Sequence, residues 1–355
     1  MKKPILTFDN HHHEAHAPTI EQLHGRTVPY FESPSRIDAI RAALQADGLI
    51  DLQPTQAEIS VDELARTHTR AMIAHMRYLS EKAPELIRQD FASYGLEHLL
   101  MGDEYYYEQI FPTRVMRGYS INENRRGFHI FDNTSPVGPG TWPAITHSAS
   151  VAYAGAHALL DGERRAYALC RPPGHHAGRD FAGGYCFFNN AAIAANALRQ
   201  RGKIAVLDID YHHGNGTQAI FWDDPGVLFI SIHADPGQEY PYYCGWPDET
   251  GGVAAEGLNI NYPLPFGTDE ALYTQTLARA LDDISAYNPA ALVVSLGFDT
   301  LHDDPMAQFE LTISSYARLG GMIDALGLPT LYVQEGGYHV DSLGAMAVSF
   351  FGGMD

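Results

Sequence analysis

Cysteine is scarce. The 355 residues hold only Cys170, Cys186 and Cys244, an odd number with no close pairing. That excludes a disulfide framework, offers no cysteine zinc motif and points to reduced thiols. Basic residues are also few, 23 Lys and Arg against 43 Asp and Glu, so the chain carries a formal charge of −20. Such a surface repels nucleic acid and draws cationic ligands toward any acidic cleft. No apolar run reaches the roughly 20 residues that a bilayer crossing needs. The opening MKKPILTFDN meets Asp9 before a signal-peptide core can form, so a cytoplasmic protein without membrane contact is expected. Repeats, low-complexity tracts and linkers are missing too. What is present, 45% hydrophobic and 19% charged residues, is ordinary for a folded soluble chain. The length allows one large α/β domain or two smaller ones; with no linker in view, a single domain over 1–355 is expected.

Read in order, the chain opens with a short strand, ILTF, followed by HHHEAH. His12 and His16 have helical metal-site spacing but lie in a polar loop context without an adjacent cleft, which argues against a ligand pair. Ser33-Pro34 then starts a helix reaching about Ala46, with Ser33 as the cap, Pro34 in the first turn and Ile37, Ile40 and Leu44 on one face. From about 86 to 131 periodicity fades and aromatics and charges accumulate; a loop insertion this long is expected to cover a site or pair two subunits. Beyond Gly140, a small-residue helix (142–160), strand 166–170, helix 190–199 and strand 204–209 follow. Strands VLFISIH, ALVVSLGFDT and TLYVQEGGY come later, separated by helices at 272–287 and 315–326. Alternating strands and helices predict a parallel sheet with helices on both faces.

The chemistry gathers where those strands end. In KIAVLDIDYHHGNGTQ (203–218), an apolar strand runs into Asp208, Asp210 and His212, each two residues apart and so expected on one side of the strand. Neighbouring buried carboxylates cost several kcal/mol per ion, roughly, unless a cation compensates them. Mixed Asp and His donors favour zinc over calcium. Three other strands end in His175-His176, Asp299 and Tyr338. Asp210, His212 and Asp299 make a two-carboxylate, one-imidazole set that leaves one position open, as catalytic zinc requires. His175-His176 offer a general base beside a second imidazole, and Tyr338 a donor to a developing oxyanion. Together these fit metal-assisted amide hydrolysis without a Ser or Cys nucleophile.

At RPPGHHAG (171–178), GGYCFFNN (183–190), LDIDYHHGNGTQ (207–218), SIHADP (231–236), SLGFDT with DDP after it, and EGGY (335–338), the chain resembles the histone deacetylase superfamily, most closely the bacterial acetylpolyamine amidohydrolases. The likeness spans the chain from Gly140 onward, plus ESPSR near the start. It implies the single-domain arginase–deacetylase fold, an α/β architecture with about eight mostly parallel strands between helices. It also implies one zinc on Asp210, His212 and Asp299, His176 as the base, His175 as its electrostatic partner, and Tyr338 as the oxyanion donor. Asp208 stands as the carboxylate facing His175 and Asn215 as the partner of His176, where some relatives carry Asp. Potassium is implied beside the zinc at Asp208, Asp210, His212, Ser231 and Ile232, with a second monovalent site near Phe221, Asp224 and Val227. Tyr185, Gly184 and Tyr240 match the walls of the substrate tunnel.

For the substrate, the resemblance favours a small cationic acetylated amine. Glu123 aligns with an acidic residue facing the distant ammonium, although a second acidic position is Thr134 here and Arg125 and Arg126 would oppose a cation. Acetyl-lysine in proteins and other small acyl amides remain competing substrates. A homodimer through 86–131 is implied as well. Two rivals from other classes stand beside this reading: an arginase-type manganese hydrolase, whose second ligand set His175-His176 displaces, and a non-catalytic acyl-amine binding protein, which would have lost a ligand or the tyrosine.

Overall fold

In the computed structural model, residues 3–23, 25–54, 57–99, 105–107 and 129–355 are described. Ten strands lie among them: β1 (Ile5–Asp9), β2 (Ile20–Leu23), β3 (Arg26–Pro29), β4 (Ile50–Gln53), β5 (Arg165–Leu169), β6 (Ile204–Asp208), β7 (Val227–Ala234), β8 (Asn259–Leu264), β9 (Ala291–Leu296) and β10 (Thr330–Gln334). Nine α-helices accompany them: α1 (Ser35–Ala46), α2 (Val61–Leu64), α3 (Arg70–Ser93), α4 (Thr141–Leu160), α5 (Asn190–Leu198), α6 (Asn215–Phe221), α7 (Glu270–Tyr287), α8 (Ser315–Asp324) and α9 (Val340–Gly352). Eight strands form one sheet in the order β4-β1-β5-β10-β9-β6-β7-β8, with every pairing parallel, while β2 and β3 form a separate antiparallel hairpin. The expected architecture is therefore found, and the sheet is wholly rather than mostly parallel.

A parallel sheet needs helical cover on both faces, and the strand sequences show it. Along β6, Ala205 and Leu207 join a core with α1, α7, α8 and α9, whereas Ile204 and Val206 join a second core with α4 and α5. The same alternation divides β9 and β10. On the α4 side small residues let the helix approach closely: a Cβ at Gly155 would stand 2.5 Å from a Leu331 methyl. Replacing Leu207, which is fully buried, by Ala should cost about 2–5 kcal/mol through lost transfer energy and a residual cavity. Chemical denaturation measures this; a loss under about 1 kcal/mol would show that this face closes around the gap.

Two local expectations differ from what is found. Pro34, not Ser33, is the N-cap of α1, and the Ser33 hydroxyl meets that of Ser35 at 2.8 Å. The 86–131 stretch begins inside α3, which is helical through Ser93 with Leu86 buried on its apolar stripe. Most of the remainder, including Glu123, Arg125 and Arg126, lies outside the described residues. Among the described residues no helix is long and apolar enough to cross a membrane.

Candidate active site and metal centre

The strands carrying the ionisable loops, β5, β10, β9 and β6, are consecutive neighbours in the sheet. Their carboxyl ends therefore open onto one rim, where open α/β sheets bind ligands. Pairing in β6 ends at Asp208, so Asp210 and His212 are loop residues rather than strand residues on a common face. The turn that ends it is local: Asp208 Oδ1 accepts the Asp210 amide at 3.1 Å, and Asp210 Oδ1 accepts that of His212 at 2.9 Å. The other oxygen of Asp208, Oδ2, bonds His175 Nδ1 at 3.0 Å.

Asp210, His212 and, from the loop after β9, Asp299 bring one donor atom each to within 4.8 Å of one another, all buried. Burial and the neighbouring Asp210 push the Asp299 carboxyl up to about 7. Burial raises Asp210 as well, but His175 and His212 outweigh it and hold that carboxylate well below its usual range. Glycines make room: a Cβ at Gly336 would lie 2.3 Å from Asp299 Oδ2, and one at Gly297 equally close to Asp210 Oδ2. The Gly336 amide donates to Asp210 Oδ2 at 2.8 Å. Two buried carboxylates and an imidazole crowded together at the foot of a cavity fit a divalent transition metal, zinc above all, with a coordination position left open.

His176 lies beside this cluster, its ring 4.0 Å from that of His175 and its Nδ1 2.8 Å from Asn215 Oδ1. Burial, together with the charges of His175 and His212, lowers His176 well below an ordinary imidazole. His175 goes the other way: burial opposes its charge, yet Asp210 and Asp208 raise it to about 10. Tyr338 hangs from a turn pinned on both sides. Its amide and that of His339 reach Asp304 Oδ2 at 2.6 and 3.1 Å, and the Arg36 guanidinium sits 4.9 Å over its ring. Arg36 also donates to the Gly337 and Glu335 carbonyls. Its charge is balanced by buried Glu32 at 2.7 Å.

Of these groups His176, His212 and Tyr338 line a cavity of about 240 Å³ together with Tyr185, Gly184, Tyr240, Met306 and Thr134. Gly184, at φ +57°, is backed by the His176 ring, 2.4 Å from where a Cβ would stand. Two acidic residues at this cavity carried no signal in the sequence. Asp132, in the Asp-Asn-Thr turn two residues from Thr134, accepts the Tyr240 hydroxyl at 2.7 Å and the Gly184 amide at 2.8 Å, so it fixes both walls. Glu21 on β2 is 2% exposed, lines the cavity and has no hydrogen bond of good geometry to either oxygen among the described residues. Burial pushes its carboxyl up to about 7, against the lowering effect of the Tyr185 hydroxyl and the Phe31 amide. Neither could be singled out from spacing, because Glu21 joins the wall, and Asp132 comes to stand behind it, only when the hairpin and the 129–137 segment fold over the rim.

Ser231 pairs in register with Asp208 across β6 and β7, with Ile232 next to it. Phe221, Asp224 and Val227 form the turn from α6 into β7, where Asp224 pairs with Arg199. His12 and His16 do not converge: His12 packs on His147, while His16 is buried against Thr141 and Phe187.

The histone deacetylase domain family matches residues 30–354. Acetylpolyamine amidohydrolase 2 of Pseudomonas aeruginosa is 42% identical, with 99% of each chain covered. Acetylpolyamine amidohydrolase of Burkholderia pseudomallei is 40% identical over 98% of each. The crystal structure of acetylpolyamine aminohydrolase from Burkholderia pseudomallei superposes with a TM-score of 0.89 at 39% identity, covering 98% of both chains.

Proposed function

The chain belongs to the histone deacetylase domain family, and from that premise we propose that it hydrolyses the acetamide of small acetylated amines bearing a distant positive charge, acetylpolyamines being favoured. Amidohydrolase relatives alike over their whole length support the reaction. The observation that carries the substrate class is Glu21, a buried carboxylate in the wall of the cavity whose oxygens make no hydrogen bond of good geometry among the described residues.

Asp210, His212 and Asp299 would hold the zinc, which supplies water activation and carbonyl polarisation when bound. His176 acts as proton acceptor. With Asn215 Oδ1 taking its Nδ1 proton, its Nε2 lone pair is left for the water. His175, paired to Asp208, sets a positive charge beside His176 and keeps it neutral until its Nε2 takes the proton of the water. Tyr338 donates to the oxygen on which charge develops. Tyr185, Gly184 and Tyr240 flank the acyl chain. An ammonium beyond the amide then meets Glu21 in a desolvated wall, where such a pair gains more than the roughly 1 kcal/mol of an exposed one. Potassium at Asp208, Asp210, His212, Ser231 and Ile232, with a second ion near Phe221, Asp224 and Val227, belongs to the same proposal. So do pairing of two chains through 86–131 and a cytoplasmic setting. Gel filtration with light scattering checks the pairing.

Acetylputrescine, acetylspermidine and an acetyl-lysine peptide should be compared on one zinc-loaded preparation. The expected order puts the acetylpolyamines first, and Glu21→Gln should lower kcat/KM for them by about tenfold, the equivalent of 1.4 kcal/mol, while sparing a neutral acetamide. Because burial raises the Glu21 pKa, its charge costs folding stability as pH climbs from the ordinary carboxylate range through about 7. Glu21→Gln should accordingly raise the melting temperature at pH 8. Equal losses on charged and neutral substrates would remove Glu21 from recognition, and preference for the peptide would overturn the polyamine assignment.

A further inference from the structure

A second group of metal-ligating side chains lies outside the cavity. His213, Cys244 and Glu249 bring an imidazole nitrogen, a thiol sulfur and a carboxylate oxygen to within 4.8 Å of one another. We propose that these three residues form a second transition-metal site of zinc type, distinct from the Asp210, His212 and Asp299 cluster and independent of the reaction proposed above.

The hydrogen bonds around His213 decide which of its nitrogens is free. His233 Nε2 lies 3.0 Å from the Gly245 carbonyl, which can only accept, so that nitrogen carries the proton. His233 Nδ1 is then an acceptor and takes the Ser231 hydroxyl proton at 2.8 Å. Ser231 has one proton to give, so its oxygen accepts from His213 Nδ1 at 3.2 Å. What remains is His213 Nε2, a bare lone pair. His213 is 1% exposed, and that nitrogen makes no hydrogen bond of good geometry among the described residues, with the Gln218 side chain as the polar neighbour that partly favours the charged ring. A buried lone pair without a donor is costly, and a metal ion satisfies it.

The other two donors are held from behind. Gly245, at φ +105°, lets the chain close onto the imidazoles: a Cβ there would stand 2.8 Å from His213 Cγ and 2.6 Å from His233 Nε2. Cys244 is thereby brought beside His213. Glu249 Oε2 accepts the Gly245 amide at 2.9 Å and the Gln218 amide at 2.5 Å, and Gln218 Oε1 in turn takes the amides of Asn259 and Asn261. Supporting bonds of this kind orient the ligands of metal sites. Cys244 and Glu249 are half-buried, which leaves an approach from solvent. Without metal, burial and the adjoining Glu249 push the Cys244 thiol up to about 12, so it is a neutral thiol 3.9 Å from that carboxylate. On binding, the sulfur–metal bond replaces the S–H bond and the proton passes to solvent. Imidazole, thiolate and carboxylate suit zinc, with a fourth position for water.

The test is equilibrium dialysis of the purified, zinc-loaded chain against excess zinc, and separately against cobalt, with bound metal counted by mass spectrometry. Wild type should retain a second equivalent and, with cobalt, show thiolate-to-cobalt charge-transfer absorption. Cys244→Ser should lose both while keeping the first equivalent and its deacetylase turnover. Glu249→Gln, which keeps an oxygen for the Gly245 amide, should weaken the second equivalent by about tenfold or more. Saturation of wild type at a single equivalent would overturn the proposal, as would a second equivalent with an unchanged cobalt spectrum in Cys244→Ser.

Discussion

Asp299→Asn should empty the zinc centre and silence the enzyme, yet leave a metal-free protein at least as stable as wild type. The two halves share one cause. Asp299 Oδ1 accepts the Tyr211 amide at 2.9 Å, a bond that an asparagine oxygen keeps, so the local fold survives. Oδ2, 3.3 Å from His212 Nδ1, is the charge that the metal set loses. Losing even an outer partner costs metal sites about 10–100-fold in affinity; removing a donor carboxylate should exceed the top of that range in both affinity and turnover. The stability half follows from linkage. Without metal, burial and Asp210 raise the Asp299 pKa to about 7. A carboxyl with a raised folded-state pKa stabilises the fold below its unfolded value near 4 and loses that contribution as pH rises through about 7. Above pH 7 the chelated wild type therefore carries a burial cost, only partly offset by His212, that Asn does not. Adding zinc should reverse the order, because metal binding to the native state stabilises only the chain able to hold it. Melting curves at pH 8, with chelator and with zinc, give both comparisons. Wild type unfolding above the variant in chelator, or a variant that binds zinc and turns over normally, would show that Asp299 is a structural carboxylate.

The parts of this molecule readable from the sequence are those where one physical demand dominates. β5, β6, β9 and β10 lie in the middle of the sheet with helices on both faces, so they are mainly apolar along their length, and the ionisable residues after them stand out by contrast. Edge and lid elements answer to weaker demands. β4 is IDLQ and β8 is NINYPL with Pro263 inside it, both at sheet edges where polar residues and proline are tolerated. Strand order was not legible, since it depends on which crossovers pack together. The same division holds at the site. His175, His176, Asp210, His212, Asp299 and Tyr338 announce themselves by clustering in loops. Glu21 reads as one polar residue in a half-exposed hairpin, and its burial is a tertiary fact. The His213, Cys244 and Glu249 group escapes a search for paired cysteines because its three donors are of different kinds and come from two loops far apart in the chain.

Tyr338→Phe should lower kcat by about 100- to 1,000-fold, the usual worth of one oxyanion donor, with zinc content and melting temperature close to wild type. The ring keeps its place without the hydroxyl. The turn is fixed by backbone amides on Asp304, the guanidinium of Arg36 covers one face, and the Tyr185 ring lies 5.6 Å away. None of those contacts involves the phenolic oxygen. That oxygen is also a dependable donor: burial pushes the Tyr338 hydroxyl well above its usual range, even against the lowering effect of Arg36, so it stays protonated wherever the fold is intact. The pH profile of the variant should therefore keep its shape and lose only height, because the groups that titrate, His175 and His176 with the carboxylates around them, are untouched. KM should change less than kcat, since a bond that strengthens with developing charge favours the transition state over the bound substrate. Zinc loss in the variant would make Tyr338 a structural support of the metal cluster. A phenylalanine enzyme within about threefold of wild type would assign the oxyanion to another donor, and the Gly336–Gly337 turn that presents this side chain would then need a different reason for its geometry.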